Sequence, residues 1–316
     1  MSRRFGRGRV VSLKGWMRAA AVVLIAAIVV YFALQFDEVR QLTRLSAGTL
    51  VGSVLVLFAS QLAQNESILV PLRTHLPQLG FWELFVLRAG GLVVGSVVPV
   101  AGGLAVRLAY LRRLGLTVAD FAHATLLSNV LSLVAAACLA VPATAALWAL
   151  AGRPPLAALG LLATILVLGV AALIGLRALP SLSRHPRLSR WLPAIAEGAA
   201  SRPVALRVFW ASVLRHVFSF VAFGWLYAAL SDVRGGFLAG GLVYTLTSPI
   251  RMVNLTPGNV GVNEWVAAVA GQALSFDLTT GLLVGGVFRV ASLVAQGGGV
   301  LFGWTLSGRV RLAPRP

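Results

Sequence analysis

The fourteen residues RMVNLTPGNVGVNE, from Arg251 to Glu264, interrupt an otherwise apolar segment of the chain. They hold one proline, two glycines, three asparagines and two opposite charges. In the hydrocarbon core of a membrane every backbone N–H and C=O group needs a hydrogen-bond partner. A Pro/Gly break at that depth is therefore tolerated only where it is buried in protein or lines a wet cavity. The stretch predicts a broken helix beside a binding site.

A weaker copy of this break lies in the first half of the chain. Residues 96–107 read SVVPVAGGLAVR, in which Pro99 and Gly103 have the same four-residue spacing as Pro257 and Gly261. Pro257 follows Pro99 by 158 residues, which is half of the 316-residue chain. Corresponding breaks in two halves are typical of transporters that are built from an inverted-topology repeat.

The composition places the chain in the membrane. Its residues are 58% hydrophobic and 11% charged, and the mean hydropathy is +0.88, outside the range of ordinary soluble domains. The net charge of +18 raises the question of nucleic acid, but the arginines lie between apolar runs and form no basic soluble face. We therefore expect an all-α polytopic membrane protein, a single integral membrane domain over 1–316, and no nucleic-acid partner.

Apolar runs of about 20 residues, the length of one crossing, predict the transmembrane helices. About six full spans are expected, at 17–36, 47–70, 117–142, 155–177, 206–230 and 281–307. The first follows a basic N-terminus and precedes no small-residue cleavage site, so it is expected to be a retained signal anchor. Two further segments, 84–111 and 238–274, are apolar but broken. The connection 178–205 is rich in arginine and proline, and we expect a cytoplasmic basic loop or interfacial segment there.

The positions of the cationic residues predict the orientation of these segments. If 84–111 crossed the membrane fully, Arg112 and Arg113 would lie opposite the basic N-terminus, whereas a re-entrant hairpin removes that conflict. With both broken segments re-entrant, 18 cationic residues are cytoplasmic, 4 are outside and 5 lie at membrane depth. We expect two broken re-entrant helical hairpins, a first repeat over 1–150, an inverted second repeat over 151–316, and both termini on the cytoplasmic side of a bacterial inner membrane.

Ionisable side chains at membrane depth are costly and are therefore the candidate ligand-binding residues. Five arginines lie there, but only two carboxylates, Glu66 and Glu264, are available to neutralise them. A phosphate group is the natural additional partner, because guanidinium groups bind it in bidentate geometry and unwound backbone adds N–H donors. The candidate ligand-binding residues are Arg88, Arg107, Arg251, Asn254, Pro257, Asn259, Asn263, Glu264 and Arg289.

Structural roles stay open for several of these residues. One alternative is that Glu264 pairs with Arg251 or with Arg289, in which case it holds the hairpin in place and does not bind a ligand. The alternative for Arg88 and Arg107 is that their side chains extend along their helices towards the lipid headgroups and bind no ligand. Arg215, the fifth arginine at depth, pairs with Glu66 or contacts the ligand. The four histidines have no metal-ligand spacing, and no nucleophile motif or acid/base pair is present. We expect no enzyme, no catalytic residue, no metal and no cofactor.

These residues resemble the lysylphosphatidylglycerol synthase transmembrane-region family, the flippase-type domain that multiple-peptide-resistance proteins fuse to a soluble aminoacyl transferase. The resemblance is carried by Pro99-x-x-Gly102-Gly103, Arg107 and Tyr110-Leu111, and by Asn254-x-x-Pro257-x-x-x-Gly261-Val262-x-Glu264 with Arg289. Family members usually have an acidic residue where this chain has Leu104, and often charged residues where it has Ser128-Asn129 and Ser132. Because the chain ends at Pro316, soon after its last span, a stand-alone member without the transferase domain is expected.

The resemblance implies movement of a lipid between leaflets. We expect a flippase or scramblase that binds the anionic headgroup of a phospholipid or isoprenoid lipid in a basic midplane cavity. Anionic membrane lipids are then its partners, and enzymes of a lipid pathway are further candidate partners. A small-anion channel or secondary transporter, and a non-catalytic scaffold of a lipid pathway, are the alternatives. Since Glu264 has no acidic counterpart near Leu104, the second hairpin is the first place to look for the ligand.

Overall fold

The computed structural model describes residues 40–97, 102–152, 156–182, 201–252 and 259–306, and these residues form helices without any β-strand. A short 3-10 helix, Arg40–Arg44, precedes ten α-helices. They are α1 Ala47–Arg73, α2 Phe81–Val97, α3 Gly102–Arg113, α4 Val118–Ala151, α5 Leu156–Leu182, α6 Arg202–Leu230, α7 Gly236–Leu246, α8 Ser248–Met252, α9 Val262–Gln272 and α10 Leu278–Leu306.

Four of the described helices, α1, α4, α6 and α10, are long and apolar enough to cross a membrane. A fifth long helix, α5, has 27 residues, which corresponds to about 40 Å at 1.5 Å per residue. The expected spans 47–70, 155–177, 206–230 and 281–307 coincide with α1, α5, α6 and α10 to within a few residues. The polytopic all-helical character is therefore confirmed, whereas the expected first span, 17–36, lies outside the described residues.

Two sequence-based boundaries are wrong. The span expected to end at 142 continues through Pro142 to Ala151, and it ends where Gly152 adopts a left-handed φ of 68°. Its start is fixed by a capping box between Thr117 and Asp120. The expected loop 178–205 is shorter at both ends because α5 continues to Leu182 and α6 begins at Arg202. Residues 183–200 of that loop lie outside the described part of the chain.

Helices α1 and α6 pack against each other in antiparallel orientation and form the centre of the fold. At their middle the Ser60 and Ser219 hydroxyls are 2.8 Å apart, and the Ser60 hydroxyl also donates to the Arg215 carbonyl at 3.1 Å. Small side chains at this crossing let the two helices approach closely, which is the usual packing solution inside a membrane. Ion pairs tie the two ends of the helix pair: Arg44 to Asp232 at 3.2 Å and Arg207 to Glu66 at 3.0 Å.

The two broken segments consist of short helices. Helix α3 has 12 residues, and α7 and α9 have 11 each, which gives about 16–18 Å against the roughly 30 Å of a membrane core. Helix α2 ends at Val97 and α3 begins at Gly102, while α8 ends at Met252 and α9 begins at Val262. These bounds agree with the predicted breaks, and the links 98–101 and 253–258 lie outside the described residues.

Glycines bring the short helices against their neighbours. A Cβ atom on Gly91 of α2 would lie 2.9 Å from the carbonyl oxygen of Gly103 in α3, so no side chain fits between these arms. A Cβ atom on Gly285 of α10 would lie 2.9 Å from the Cα atom of Glu264 in α9. These approaches place the charged residues of each broken segment against a neighbouring helix.

Candidate anion-binding site

Arg88 is a buried cation on α2 that has neutral hydrogen-bond partners. Its guanidinium donates to the side-chain oxygen of Gln64 at 2.5 Å, and to the backbone and side-chain oxygens of Gln61 at 2.8 and 2.9 Å. It also lies 5.6 Å from the centre of the Phe85 ring. Its Nε atom is buried and has no hydrogen-bond partner among the described residues. Arg88 is thus held by amides and an aromatic ring, with one donor unused.

The polar face of α1 positions Arg88. Gln61 and Gln64 are three residues apart, so both side chains lie on the same face of the helix. On the same side Asn65 donates to the Phe81 carbonyl at 2.9 Å and fixes the start of α2 against α1. This polar stripe faces the bundle and makes hydrogen bonds between helices.

Two further arginines lie near Arg88. Arg107 on α3 contacts the carbonyl of Gly103, which lies against Gly91 of α2, and the backbone carbonyl of Arg215 on α6 accepts from Ser60, the neighbour of Gln61. Arg107 donates from Nε to the Gly103 carbonyl at 3.3 Å, one turn earlier on its own helix. Arg215 donates to the Ser132 hydroxyl at 3.3 Å, and that hydroxyl lies 2.9 Å from Nε2 of His216. Arg88, Arg107 and Arg215 form a group that we call the first arginine cluster.

The acidic residues of the described chain are all placed elsewhere. Glu66 pairs with Arg207, so the option of a pair between Glu66 and Arg215 is not the one that the structure has, and Glu264 pairs with Arg289. The other described carboxylates lie towards the ends of helices: Glu83, Asp120, Asp232 and Asp277. None of them hydrogen-bonds to the first arginine cluster, so the described residues leave three positive charges together at membrane depth.

The carboxylate of the second broken segment, Glu264, pairs with Arg289 of the neighbouring helix α10. The Nε and Nη2 atoms of Arg289 both donate to the Glu264 carboxylate, the latter at 3.2 Å, and Nη2 also donates to the Asn259 carbonyl at 2.8 Å. Asn259 adopts a left-handed φ of 53° that directs its carbonyl into this contact. Of the two pairings that the sequence left open for Glu264, the structure has the one with Arg289.

Arg251 lies in an aromatic cage instead of an ion pair. Its guanidinium carbon is 5.0 Å from the Phe223 ring centre, 5.1 Å from that of Tyr244 and 5.7 Å from that of Phe288. Its Nε donates to the Thr247 hydroxyl at 3.2 Å, whereas its Nη2 is buried without a partner in the described part of the chain. Cation–π contacts of this kind stabilise a desolvated guanidinium by about 2 kcal/mol or more.

Comparison with known proteins assigns the chain to a family. The family model described as the lysylphosphatidylglycerol synthase TM region matches residues 19–297, which include every described helix except the last turns of α10. The chain belongs to this family. The match confirms the resemblance seen in the Pro/Gly breaks and supports a membrane protein connected with lipids. No curated protein and no solved structure matches the sequence.

In this family member, aromatic and hydroxyl groups connect the two charged regions. The ring centre of His216 lies 5.9 Å from that of Tyr244, which is part of the Arg251 cage. On its other side His216 contacts Ser132 and, through it, Arg215 of the first arginine cluster. These contacts link α7 of the second broken segment to Arg215 on α6.

The remaining predicted site residues are placed as follows. The side-chain oxygen of Asn263 is buried without a partner among the described residues, and Asn254 and Pro257 lie outside the described part of the chain. Among the described residues no group of three or more His, Cys, Asp or Glu side chains could hold a metal ion. A groove of about 550 Å³ between α1 and α10 is lined by apolar residues such as Leu50, Val54 and Val290 and does not fit a charged headgroup.

One contact between α2 and α3 was not predicted from the sequence. The Tyr110 hydroxyl donates to the Glu83 carboxylate at 2.5 Å, and the other oxygen of that carboxylate accepts from the Gly80 backbone N–H at 3.3 Å. This contact joins the end of α3 to the start of α2 beside the first arginine cluster. Tyr110 is also one of the residues through which the chain resembles its family.

Proposed function

We propose that the protein is a lipid flippase or scramblase that binds an anionic headgroup in a basic cavity near the membrane midplane, and that it is not an enzyme. The observation that carries this proposal is the first arginine cluster, three guanidinium groups at membrane depth without a hydrogen-bonded carboxylate in the described chain. Buried cations without carboxylate partners are unfavourable unless a ligand supplies the negative charge. Membership of a lipid-related membrane family supports a lipid as the source of that charge.

The packing of the helices supports two re-entrant hairpins in an inverted repeat. Helix α6 corresponds to α1, α7 to α2, α9 to α3 and α10 to α4 after the 158-residue shift. The helix contacts agree with this correspondence. Helix α2 packs on α10 as its counterpart α7 packs on α4, and α1 packs on α10 as its counterpart α6 packs on α4. The short arms of both segments suit hairpins that enter from opposite faces and end near the midplane.

Such hairpins provide a route for a charged headgroup while the acyl chains stay in lipid. The first arginine cluster lies between α1, α2, α3 and α6, and because its members Arg107 and Arg215 are partly exposed, a headgroup can reach them. Arg88, which is buried, forms the floor of this site. The sequence has no nucleotide-binding motif, so transport runs downhill or uses an ion gradient. In the proposed topology the protein lies in the inner membrane and has both termini on the cytoplasmic side.

Reconstitution tests the proposal. Proteoliposomes that carry a headgroup-anionic lipid with a fluorescent acyl chain are treated with a membrane-impermeant quencher, and the fraction that becomes accessible reports movement between leaflets. We expect the protein to accelerate this movement and Arg88→Gln to remove most of the acceleration. The matched control is Arg207→Gln, which removes one positive charge from the exposed ion pair with Glu66 instead of from the cluster. A rate equal to that of empty liposomes, or an unchanged rate in Arg88→Gln, would contradict the proposal.

The same vesicles distinguish a lipid transporter from an anion pathway. A small-anion channel or secondary transporter would use the same cluster and would give anion uptake without exchange of labelled lipid. Anion uptake is measured with a radiolabelled anion or with a fluorescent sensor inside the vesicles. Uptake in vesicles that show no lipid movement would favour this alternative over the lipid proposal. Lipid movement without anion uptake supports the proposal as stated.

A further inference from the structure

The charge of the first arginine cluster restricts the headgroup that it can bind. The cluster carries three cations, and its hydrogen-bond acceptors on the protein are neutral oxygens of amides, carbonyls and a hydroxyl. A phosphodiester headgroup supplies one negative charge. A terminal phosphate supplies about −1.5 to −2 at neutral pH and three acceptor oxygens. The terminal phosphate matches the cluster better than the phosphodiester does, both in charge and in the number of hydrogen-bond acceptors.

The donors around Arg88 point to the same chemistry. Because the side-chain oxygens of Gln61 and Gln64 accept from Arg88, both amide nitrogens are left as donors, and neither makes a hydrogen bond within the described part of the chain. The buried Nε of Arg88 is also unused there. These donors come in addition to the guanidinium groups of Arg107 and Arg215. A terminal phosphate can accept from several of them at once.

The same set of charges and hydrogen-bond donors disfavours a cationic headgroup. An aminoacylated phosphatidylglycerol carries ammonium groups, which need a carboxylate or several carbonyls in a buried site. The nearest candidate carboxylates, Glu66 and Glu83, are engaged with Arg207 and Tyr110, while Glu264 is paired with Arg289 in the other segment. Three arginines would repel such a headgroup.

We infer that the first arginine cluster binds a lipid with a terminal phosphate, a phosphomonoester or diphosphate without an ammonium group, in preference to phosphodiester and aminoacylated lipids. This inference rests on the proposed function, because it names the substrate class of the same site. Inorganic phosphate or diphosphate offers the same chemistry from a soluble source, so the experiment needs an arm for each.

The test compares lipids that differ only in the headgroup. The full chain in detergent is titrated with dioleoyl phosphatidic acid, dioleoyl phosphatidylglycerol and its lysyl ester, and binding is measured by native mass spectrometry. We expect phosphatidic acid to bind about tenfold more tightly than phosphatidylglycerol, since an additional charge-assisted contact has about that effect, and the lysyl ester to bind most weakly. Arg88→Gln should remove the preference, and Arg207→Gln should keep it.

The outcomes separate this inference from the proposed function. Equal binding of phosphatidic acid and phosphatidylglycerol, tightest binding of the lysyl ester, or an unchanged preference in Arg88→Gln would overturn the inference. If phosphatidylglycerol nevertheless moves between leaflets in the vesicle assay, the proposed function stands without it. A phosphatidic acid preference without leaflet movement supports the inferred headgroup and contradicts the flippase. Displacement of phosphatidic acid by micromolar diphosphate would overturn the lipid source in favour of a soluble anion.

Discussion

The two broken segments have similar elements but treat buried charge in opposite ways. The first contains helices α2 and α3, and the second contains α7, α8 and α9; each has a Pro/Gly link in its sequence and carries arginine. In the second segment Glu264 neutralises Arg289, and three aromatic rings enclose Arg251. In the first segment Arg88 has only neutral partners. The difference teaches that the position of unbalanced charge, and not the number of arginines, indicates where an anion binds.

The largest expected effect is the loss of stability when Glu264 is removed. Glu264→Ala leaves Arg289 without its carboxylate, and breaking a buried pair in this way costs about 3–5 kcal/mol, with the lower end expected because Arg289 is one quarter exposed. Thermal unfolding in detergent measures this loss. The double variant Glu264→Gln with Arg289→Gln should recover much of it, because no unpaired charge is left. An unchanged melting temperature in Glu264→Ala would show that the pair does not stabilise the fold.

The next effect concerns the contact between the arms of the first segment. Gly91→Ala places a methyl group against the Gly103 carbonyl and should destabilise the protein by about 1–3 kcal/mol, as overpacking usually does. Gly90→Ala is the matched control, since a Cβ atom there meets nothing within 4 Å. Unfolding in detergent measures both variants. Equal stabilities would show that the arms separate more readily than the structure indicates.

Arg88 should show the reverse of Glu264, with a large effect on binding and a small one on stability. Because its partners are neutral, Arg88→Gln leaves no opposite charge unpaired, and we expect the free energy of unfolding to change by less than about 1 kcal/mol. Headgroup binding should still fall about tenfold or more. Melting temperature and native mass spectrometry on one preparation measure both quantities. A fall in stability as large as that of Glu264→Ala would remove the contrast between the two segments.

The smallest expected effect is at the Tyr110 contact with Glu83. Tyr110→Phe removes one hydrogen bond to a carboxylate at the start of α2 and should cost about 0.5–1.5 kcal/mol. Hydrogen exchange of α3 amides measures local opening of this arm. Faster exchange in α3 but not in α9 would support a local latch on the first segment. Unchanged exchange in α3 would show that the glycine contact alone holds the arms together.

The helices were largely predictable because length and hydropathy define a membrane span and Pro/Gly clusters define its breaks. The boundary at Pro142 was wrong because a membrane helix can continue through a proline when neighbouring groups satisfy the backbone. The pairing of Glu264 was predictable as one of two options, since it is the carboxylate of the second segment. The partner of Glu66 was not, because Arg207 and Arg215 both lie on α6 and only the packing of α1 against α6 decides between them.

The surroundings of Arg88 show a further limit of sequence reasoning. Gln61 and Gln64 formed a visible polar stripe, but nothing in the local pattern identified them as the acceptors of an arginine more than twenty residues later. Arg215 was noticed as a cation at depth, yet its place beside Arg88 depends on three helices meeting. The charge inventory of the sequence predicted the imbalance, whereas its location required the fold.

The ion pairs at the two ends of α1 and α6 have a mechanical consequence. Arg44 bonds Asp232 at one end, Glu66 bonds Arg207 at the other, and the Ser60 and Ser219 hydroxyls meet between them. Sliding of one helix along the other by a single turn, about 5.4 Å, would break all three contacts together. Axial displacement of this pair is therefore opposed in both directions, because the register between α1 and α6 is set at three points.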